Sequence, residues 1–363
     1  MPGLAHNACL TVAALAAAAA MAASAPQPSP RPALGSRIDA HAHVFNADPR
    51  FLAMLERLDV RLLNICVVDQ HDQGFEEAEP QHARAAQVFR ASRGRAAWCS
   101  TFDPAGFQEP GFASRTLASL ERTFADGALA VKIYKSIGME LRSHDGHYVM
   151  PDDEAFAPVL EGIAARNRTL FAHIAEPSAA WKPLDPGSPH YSYYAENPDW
   201  HMYRHPERPS QERILAARDR MLERHPRLRV VGCHLGSMED DVALIAQRLE
   251  RYPNFAVDTA ARVKDLMLQP REKVREFLIR YPDRILYATD LTFMPGDDAP
   301  AAVARFEATY ARDLAYFATD EVLTHEGREV RGLALPPEVL RLLFHDNAVR
   351  WVPGMGVQAS VGR

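Results

Sequence analysis

The chain has 363 residues, of which 47% are hydrophobic and 24% are charged, and its formal net charge is −6. These values are ordinary for a globular protein and exclude a disordered or fibrous chain. A slightly acidic chain offers no general electrostatic attraction for nucleic acid, so we expect a small-molecule substrate and no nucleic-acid partner.

The first 25 residues have the pattern of a secretory signal peptide. The run from Leu10 to Ala25 is almost entirely Ala, Leu, Val and Met, and it ends in small residues. It is short for a membrane span, and a proline-rich spacer follows at residues 26–36. We therefore predict a periplasmic or secreted protein whose mature form has no membrane span. A disordered Ala-rich tail on a cytoplasmic protein is the alternative.

From Arg37 onward, short apolar runs alternate with amphipathic helical segments. Nearly continuous hydrophobic runs are typical of parallel strands that are covered on both faces. The sequence predicts eight strands, at residues 37–43, 61–69, 96–102, 129–136, 169–176, 229–236, 254–260 and 284–291. Helical patterns lie between them, for example at residues 81–92, 114–125, 153–166, 210–225, 240–252 and 271–281.

This alternation predicts the α/β fold class, with a (β/α)8 TIM barrel over residues 37–353 and a short tail at residues 354–363. The main competitor is a doubly wound open sheet. No glycine-rich phosphate loop follows the first predicted strand, which disfavours that competitor.

Two regions exceed a minimal barrel. Residues 177–209 form a long insertion after the fifth strand and are rich in Trp and Tyr. Long loops in compact domains are usually functional or disordered, and aromatic residues argue against disorder, so we predict a cover over the active site. Packing, or contact between copies of the chain in a homo-oligomer, is the alternative role. Two helical segments, Ala301–Phe317 and Pro337–Trp351, are predicted to close the bottom or side of the barrel.

Three cysteines lie within the predicted barrel, and each stands in an apolar run: Cys66, Cys99 and Cys233. None has the C-x-x-C spacing that is typical of a redox or zinc motif. We therefore predict that they are small buried hydrophobic side chains and form no disulfide bonds.

The C-terminal ends of the predicted strands carry residues of the kinds that bind metal ions. His41 and His43 end the first strand, and because side chains alternate along a strand, both imidazoles point the same way. Such a pair provides half of a transition-metal site. The active site of a (β/α)8 barrel lies at these strand ends. Barrel closure would bring four further residues to the same point: Lys132, His173, His234 and Asp290.

Most of these residues, taken in order, resemble the motifs of the amidohydrolase superfamily: His41-x-His43, His173, His234 and Asp290. Within it the chain resembles the amidohydrolase 2 branch, which includes aminocarboxymuconate-semialdehyde decarboxylase-like enzymes. The resemblance covers residues 37–351, where Asn347-Ala348 is similar to the closing helix of that branch. It implies hydrolysis of a C–N or C–O bond (amide, cyclic amide, ester or lactone) or decarboxylation of an unsaturated or aromatic acid. A metal-independent lactonase or a non-catalytic binding barrel is the alternative from another class.

The resemblance also implies a role for each matching residue. His41, His43, His173 and Asp290 would bind one divalent metal ion, with Zn2+ expected and Mn2+ or Fe2+ as alternatives. Bound metal ions lower the pKa of a water ligand. Asp290 would accept the proton of that water and pass it to the leaving group. His234 would polarise the substrate oxygen or orient the water.

Lys132 separates two subtypes of such a site. A lysine inside a barrel is costly unless it is paired or chemically modified. In binuclear amidohydrolases a lysine on the fourth strand is carboxylated and bridges a second metal ion, and the sequence around Lys132 resembles that position. A cationic substrate anchor and a salt-bridged structural lysine are the alternatives. The odd offset between Lys132 and Lys135 predicts that Lys135 lies on the opposite face of the strand and outside the site.

Further residues near the strand ends are candidates for contact with substrate or with a metal ligand. Glu176 follows the fifth strand and Arg262 the seventh, and we predict that both contact substrate, with Arg262 suited to a carboxylate. Asp39 is predicted to share the face of His41 and to orient a ligand histidine. His201 and His205 of the insertion are candidates to reach into the site. A purely structural contact is the alternative for each.

Overall fold

The structure is a computed structural model, and we describe residues 35–68, 78–325 and 327–356. The predicted signal peptide, most of the predicted spacer and residues 357–363 lie outside these ranges. Within the described residues, no helix combines the length and the apolar character that a membrane crossing requires.

A closed barrel of parallel strands forms the centre of the described chain. Consecutive strands pair in the order of the chain. Ala40 N donates to Tyr287 O at 2.9 Å and His43 N donates to Leu291 O at 2.8 Å, so the first strand is bonded to the segment that follows the eighth. These bonds close the barrel and confirm the predicted (β/α)8 fold class. The barrel strands are β1 Arg37–Val44, β2 Val60–Ile65, β3 Ala96–Thr101, β4 Ala128–Ile133, β5 Thr169–Ala172, β6 Arg229–Gly232, β7 Phe255–Asp258 and β8 Ile285–Leu286.

Helices cover the outside of this barrel. Several begin at residues whose side chains accept a hydrogen bond from a backbone N–H of the first turn, among them Asp48, Ser210, Asp241 and Asp298. The helix bounds agree with the predicted helical segments to within a few residues. The helices are Pro49–Arg57, Ala78–Ala91, Phe112–Ala125, Ala157–Ala165, Gln211–Arg224, Val242–Arg251, Val263–Met267, Arg271–Arg280 and Ala299–Ala318.

The C-terminal segment covers the barrel end where the strands begin. It runs through Pro337–Arg341, a π-helical turn at Leu342–Asp346 and Asn347–Trp351. The Asn347 amide donates to Pro282 O and Ile285 O, both at 2.7 Å. Trp351 packs against the side chains that fill the barrel interior. The opposite end of the barrel, where the strands end, is thereby left to the loops. A short hairpin of β9 (Val322–His325) and β10 (Arg328–Arg331), which the sequence did not indicate, precedes this segment.

The two predicted strands that carry His173 and His234 are shorter than predicted. β5 ends at Ala172 and β6 at Gly232, whereas the apolar runs extend to residues 176 and 236. Ala175, His234 and Leu235 instead have positive φ angles, of 66°, 58° and 56°. Such left-handed backbone is costly for residues that carry a Cβ atom, and it clusters at functional sites. Hydrophobicity alone could not mark this change of backbone.

The insertion after β5 is a folded segment in the structure. It contains the short helix Tyr191–Glu196 and 3-10 turns at Ser178–Trp181, Pro198–Trp200 and Met202–Arg204. Tyr194, Trp200 and Met202 are buried in it. The three predicted buried cysteines are also confirmed: Cys66, Cys99 and Cys233 are buried, and none of these three forms a disulfide.

Candidate active site

The alternation of inward-facing and outward-facing side chains along β1 is interrupted near His41 and His43. Ile38 and Ala40 pack in the barrel interior, whereas Ala42 and Val44 pack in the cluster beneath the helices. The register between β1 and β2 shifts between Asp39 and Ala42. This irregularity turns the side chains of residues 41 and 43 into the barrel mouth together, as their spacing predicts.

Both histidine rings are fixed through their Nδ1 atoms. His41 Nδ1 lies 2.8 Å from Asp258 Oδ2, and His43 Nδ1 lies 2.7 Å from the carbonyl oxygen of Ile65. The two Nε2 atoms then face Asp290, at 3.4 Å and 3.3 Å from its Oδ1. Ligand atoms of His41, His43 and Asp290 all lie within 4.8 Å of one another.

This arrangement fits a bound cation. A carbonyl oxygen can only accept, so His43 carries its proton on Nδ1 in the neutral form and turns the lone pair of Nε2 toward the Asp290 carboxylate. A lone pair and an anionic oxygen repel one another unless a positive ion lies between them. Metal-binding histidines in proteins are oriented through their other ring nitrogen in the same way. The residues present therefore suit a divalent metal ion.

Asp258, at the end of β7, is a site residue that sequence reasoning missed. Its Oδ2 accepts a hydrogen bond from His41 Nδ1. Its Oδ1 accepts hydrogen bonds from the backbone N–H of His234 at 2.8 Å and of Ala260 at 3.2 Å. Burial raises the pKa of this carboxyl, but His41, His234 and Lys132 together outweigh burial and lower the pKa below its usual value. Asp258 thus links the His41 imidazole to the backbone segments that contain His234 and Ala260. The signal was a single carboxylate within an otherwise apolar predicted strand, residues 254–260, near the end that faces the site.

The prediction that Asp39 orients a ligand histidine is wrong. From His41, Asp39 accepts only the backbone N–H, at 3.2 Å. Its other partners are the hydroxyl and the backbone N–H of Thr289, at 2.7 Å and 3.1 Å, and the Tyr310 hydroxyl at 3.0 Å. The irregularity in β1 places Asp39 on the helix side of the strand, because it interrupts the alternation on which the prediction depended.

His173 and His234 lie side by side in the same pocket, with ring centroids 4.2 Å apart. His173 Nε2 is buried and has no hydrogen-bond partner within the described part of the chain, although His173 is not among the described residues whose ligand atoms converge within 4.8 Å. His234 Nδ1 lies 3.0 Å from Ala260 O and 3.9 Å from Asp290 Oδ2. The structure therefore brings together all five residues of the predicted set.

Burial keeps these imidazoles in the neutral form that binds metal ions. It lowers the pKa of His234 to about 3 and, with His234 beside it, holds the pKa of His173 well below its usual value. Burial together with the ammonium of Lys132 also lowers the pKa of His41. Neutral rings leave a lone pair available at neutral pH.

Lys132 points into the barrel beside the two histidines, as predicted. Its Nζ lies 3.0 Å from Cys233 Sγ and 3.3 Å from His41 Nε2. No carboxylate of residues 35–68, 78–325 or 327–356 forms an ion pair with it, which contradicts the salt-bridged alternative. A second group of ligand-type atoms, from His41, Cys233 and Asp258, also converges within 4.8 Å, but these three side chains are already bonded within the core.

Lys135 also lies in the pocket, contrary to the prediction that it faces away. β4 ends at Ile133, and Lys135 has helical backbone angles, so the alternation of a strand no longer applies to it. Its ammonium contacts Glu176 Oε1, lies 2.8 Å from the Tyr193 hydroxyl and sits 3.9 Å from the centre of the Trp200 ring. Lys135 therefore connects the end of β4 to the insertion.

Glu176 and Arg262, the two predicted substrate contacts, both line the pocket. Glu176 is already held by Lys135 and by the Tyr194 hydroxyl, which donates to Oε2 at 2.9 Å. Arg262 has a buried Nε atom without a hydrogen-bond partner, 3.9 Å from Glu239 Oε2. Arg262 Nε is therefore able to donate a hydrogen bond to a ligand, whereas both carboxylate oxygens of Glu176 already accept one.

The insertion covers the pocket through residues other than the predicted histidines. His190 and Tyr193 line the pocket. His201 Nε2 instead contacts Lys182 O at 2.9 Å, and His205 lies near Pro198 O at 3.4 Å, so neither reaches the site. The pocket has a volume of about 380 Å3 and carries four cationic side chains, from Lys132, Lys135, Arg262 and Lys264.

Comparison with known proteins finds several solved structures to which the chain is similar. Among solved structures, 5-carboxyvanillate decarboxylase from Sphingomonas paucimobilis is 17% identical over 87% of this chain and 98% of its own, with a TM-score of 0.47. 4-Oxalomesaconate hydratase from Rhodopseudomonas palustris is 13% identical over 87% and 95%, with a TM-score of 0.46. Manganese-bound dihydroxybenzoic acid decarboxylase from Polaromonas sp. JS666 is 13% identical over 77% and 93%, with a TM-score of 0.44.

No curated protein matches the chain. A family model described as Amidohydrolase matches residues 38–354, which include every residue of the metal-type cluster and both ends of the barrel. The chain belongs to the amidohydrolase family.

Proposed function

We propose that the protein is a metal-dependent hydrolase that cleaves a C–N or C–O bond of a small amide, cyclic amide, ester or lactone. The observation that carries this proposal is the convergence of two imidazole Nε2 atoms on Asp290 Oδ1, within 3.4 Å, at the mouth of the barrel. His41, His43 and Asp290 would hold the ion, with His173 Nε2 as the fourth ligand. We propose Zn2+ as this ion, because imidazole and carboxylate ligands suit it, with Mn2+ or Fe2+ as alternatives.

The bound metal supplies a Lewis acid that makes water a nucleophile near neutral pH. Asp290, at the edge of the cluster, takes a proton from the attacking water and returns it to the leaving group. The tautomer of His234 favours one of its two predicted roles. Its Nδ1–H donates to Ala260 O, so a neutral ring offers a lone pair at Nε2 that accepts a hydrogen bond from water. We therefore assign His234 to orienting the water and not to polarising the substrate oxygen.

The cationic side chains of the pocket indicate an anionic substrate. Among the residues that the structure describes, no carboxylate pairs with Lys132 beside the cluster, and Arg262 Nε has no hydrogen-bond partner. Both would bind a substrate carboxylate, and Arg262 suits the planar geometry. This observation also favours the second candidate function, decarboxylation of an unsaturated or aromatic acid, because that reaction needs a fixed carboxylate beside the metal.

Metal content and products test these proposals together. The protein is purified without chelator, and metal per chain is measured by elemental analysis beside the His41→Ala variant. About one ion per chain, lost in the variant, agrees with the mononuclear site. About two would favour a carboxylated Lys132 bridging a second ion. No metal after addition of Zn2+ and Mn2+ would contradict the proposal.

Product analysis then separates the two reactions. Metal-loaded protein is incubated with a panel of carboxylate-bearing lactones and amides and with aromatic acids. Release of a new acid without CO2 identifies a hydrolase, and release of CO2 identifies a decarboxylase. We further propose that the enzyme is exported. Sequencing the N-terminus of protein recovered from the periplasm tests this, and an intact Met1 in the cytoplasm would contradict it.

A further inference from the structure

The side chain of Arg262 faces both the active-site pocket and a buried carboxyl group. Arg262 lines the pocket, and its side chain is 11% exposed. Its Nε atom is buried, has no hydrogen-bond partner within the described part of the chain and lies 3.9 Å from Glu239 Oε2. The proposed function gives Arg262 to a substrate carboxylate. Two carboxyl groups, one of the protein and one of the substrate, would therefore share one guanidinium.

Glu239 lies behind this arginine and is closed off from solvent. Its side chain is 0% exposed, and neither Oε1 nor Oε2 accepts a hydrogen bond from a described residue. An ionised carboxylate in such a place is unfavourable unless a cation pairs with it. Among the described residues Arg262 is its ion-pair partner, and the contact of 3.9 Å is too long for a hydrogen bond. A closer ion pair with Glu239 would draw the guanidinium away from the pocket.

The charged and titratable groups that face Glu239 come from its own segment, from the segment after β7 and from the insertion: Asp240, Arg262, Asp265 and Tyr194. The two aspartates disfavour its ionised form. Each has a contact of its own, to Lys182 Nζ at 3.7 Å from Asp240 and to His190 Nε2 at 3.0 Å from Asp265. Burial and these carboxylates raise the pKa of Glu239 to about 8, although the arginine opposes the rise. Glu239 therefore changes its charge within the pH range in which the folded protein can be studied.

We propose that Glu239 is a positioning residue that controls the availability of Arg262 for a substrate carboxylate. While the Glu239 carboxyl is neutral, the guanidinium is available to the substrate anion. When the carboxyl loses its proton, it attracts the guanidinium and repels that anion. Anion binding at Arg262 and proton binding at Glu239 therefore strengthen one another. The inference rests on the proposed function, because it needs a substrate carboxylate at Arg262.

Calorimetric titration of the full-length, Zn2+-loaded protein with benzoate, a planar carboxylate, tests this coupling at pH 6.5 and pH 9. At pH 6.5 the wild type and Glu239→Gln should bind benzoate with similar affinity, because glutamine has the shape of the neutral carboxyl. Between the two pH values the affinity of the wild type should fall about tenfold more than that of the variant, because a group with a pKa of about 8 is largely ionised at pH 9. Competition from hydroxide at the metal affects both proteins equally, so the difference between them reports on Glu239.

Glu196→Gln, at an exposed glutamate of the insertion, is the matched control and should keep the pH dependence of the wild type. Proton uptake is the second measurement, read from the change of the binding enthalpy with the ionisation enthalpy of the buffer. At pH 8 the wild type should take up about half a proton more per benzoate than Glu239→Gln does. Should Glu239→Gln fail to fold, Arg262→Met is the second variant. It should weaken benzoate binding at pH 6.5 and lose the additional fall in affinity at pH 9.

Two results would overturn the proposal. Equal pH dependence of benzoate affinity in the wild type and in Glu239→Gln would leave Glu239 as a structural residue. Absence of benzoate binding to both proteins at pH 6.5 would show that Arg262 is not an anion site. Either result is distinguishable from failure of the proposed function, because that function is judged by metal content and by the products released.

Discussion

At the strand ends of the barrel mouth, His41, His43 and His234 are each oriented by a partner at 3.0 Å or less. Under the insertion, by contrast, Arg262 Nε and both carboxylate oxygens of Glu239 have no hydrogen-bond partner among the described residues, and the two groups approach only to 3.9 Å. The first region lies at strand ends, where the closed sheet fixes backbone positions. The second lies between loops. The contrast teaches that the groups proposed for the reaction are preorganised on the barrel, whereas the buried charges between the loops are paired only loosely.

The largest effect is expected from removing groups of the strand-end cluster. Asp290→Ala or His173→Ala should lower kcat by about a thousandfold or more, because each removes a proposed ligand and Asp290 also moves the proton. Neither side chain packs in the core layers, so circular dichroism melts should remain close to those of the wild type. His147→Ala, at an exposed histidine, is the control. Full turnover in either cluster variant would exclude the proposed mechanism.

Asp258→Asn should weaken metal binding by about 10- to 100-fold, because it removes the carboxylate that orients His41. Asp39→Asn provides the comparison. Asp39 is a buried carboxyl on the strand that carries His41, but it does not touch the imidazole, so its change should lower thermal stability without a comparable loss of metal affinity. Competition with a metal indicator measures both. Equal loss of metal affinity in the two variants would show that Asp258 has no special role.

The difference between Asp258 and Asp39 also shows where sequence reasoning reached its limit. The strand pattern was enough to predict the barrel and to bring together His41, His43, His173, His234 and Asp290, because strand ends meet wherever the barrel closes. It failed where the backbone leaves the regular strand. The irregularity in β1 turns the Asp39 side chain to the helix side of the strand. β4 ends before Lys135, so Lys135 lies in the pocket and not on the opposite face of the strand. Periodicity assumes a regular strand, and tertiary contacts decide where regularity ends.

The insertion gives a smaller effect that acts on substrate binding. Lys135→Met keeps much of the side-chain volume but removes the ammonium shared by Glu176, Tyr193 and Trp200. We expect KM to rise about tenfold with a lesser change in kcat, and the insertion to be cleaved faster by a protease. Lys182→Met, at an exposed lysine of the same insertion, is the control. A fall in kcat with unchanged KM would instead place Lys135 among the reacting groups.

The smallest effect is a pH dependence of stability that arises under the insertion. The pKa of Glu239 is about 8 in the folded protein and near 4.5 when the group is solvated, so the folded chain holds a proton there that the unfolded chain releases. The stabilisation linked to that proton is complete below about pH 4.5 and is lost as the pH rises toward 8. Glu239→Gln does not titrate, so its melting temperature relative to the wild type should rise between pH 5 and pH 9.

The groups that face Glu239 decide how far this effect is expressed. Arg262 favours the ionised carboxylate, whereas Asp240 and Asp265 oppose it. Glu196→Gln, at an exposed glutamate of the insertion, should give a melting-temperature difference that does not change with pH. If Glu239→Gln behaves like this control, the carboxylate is already ionised and paired with Arg262. The two sides of the mouth would then be equally satisfied, and the contrast between them would be lost.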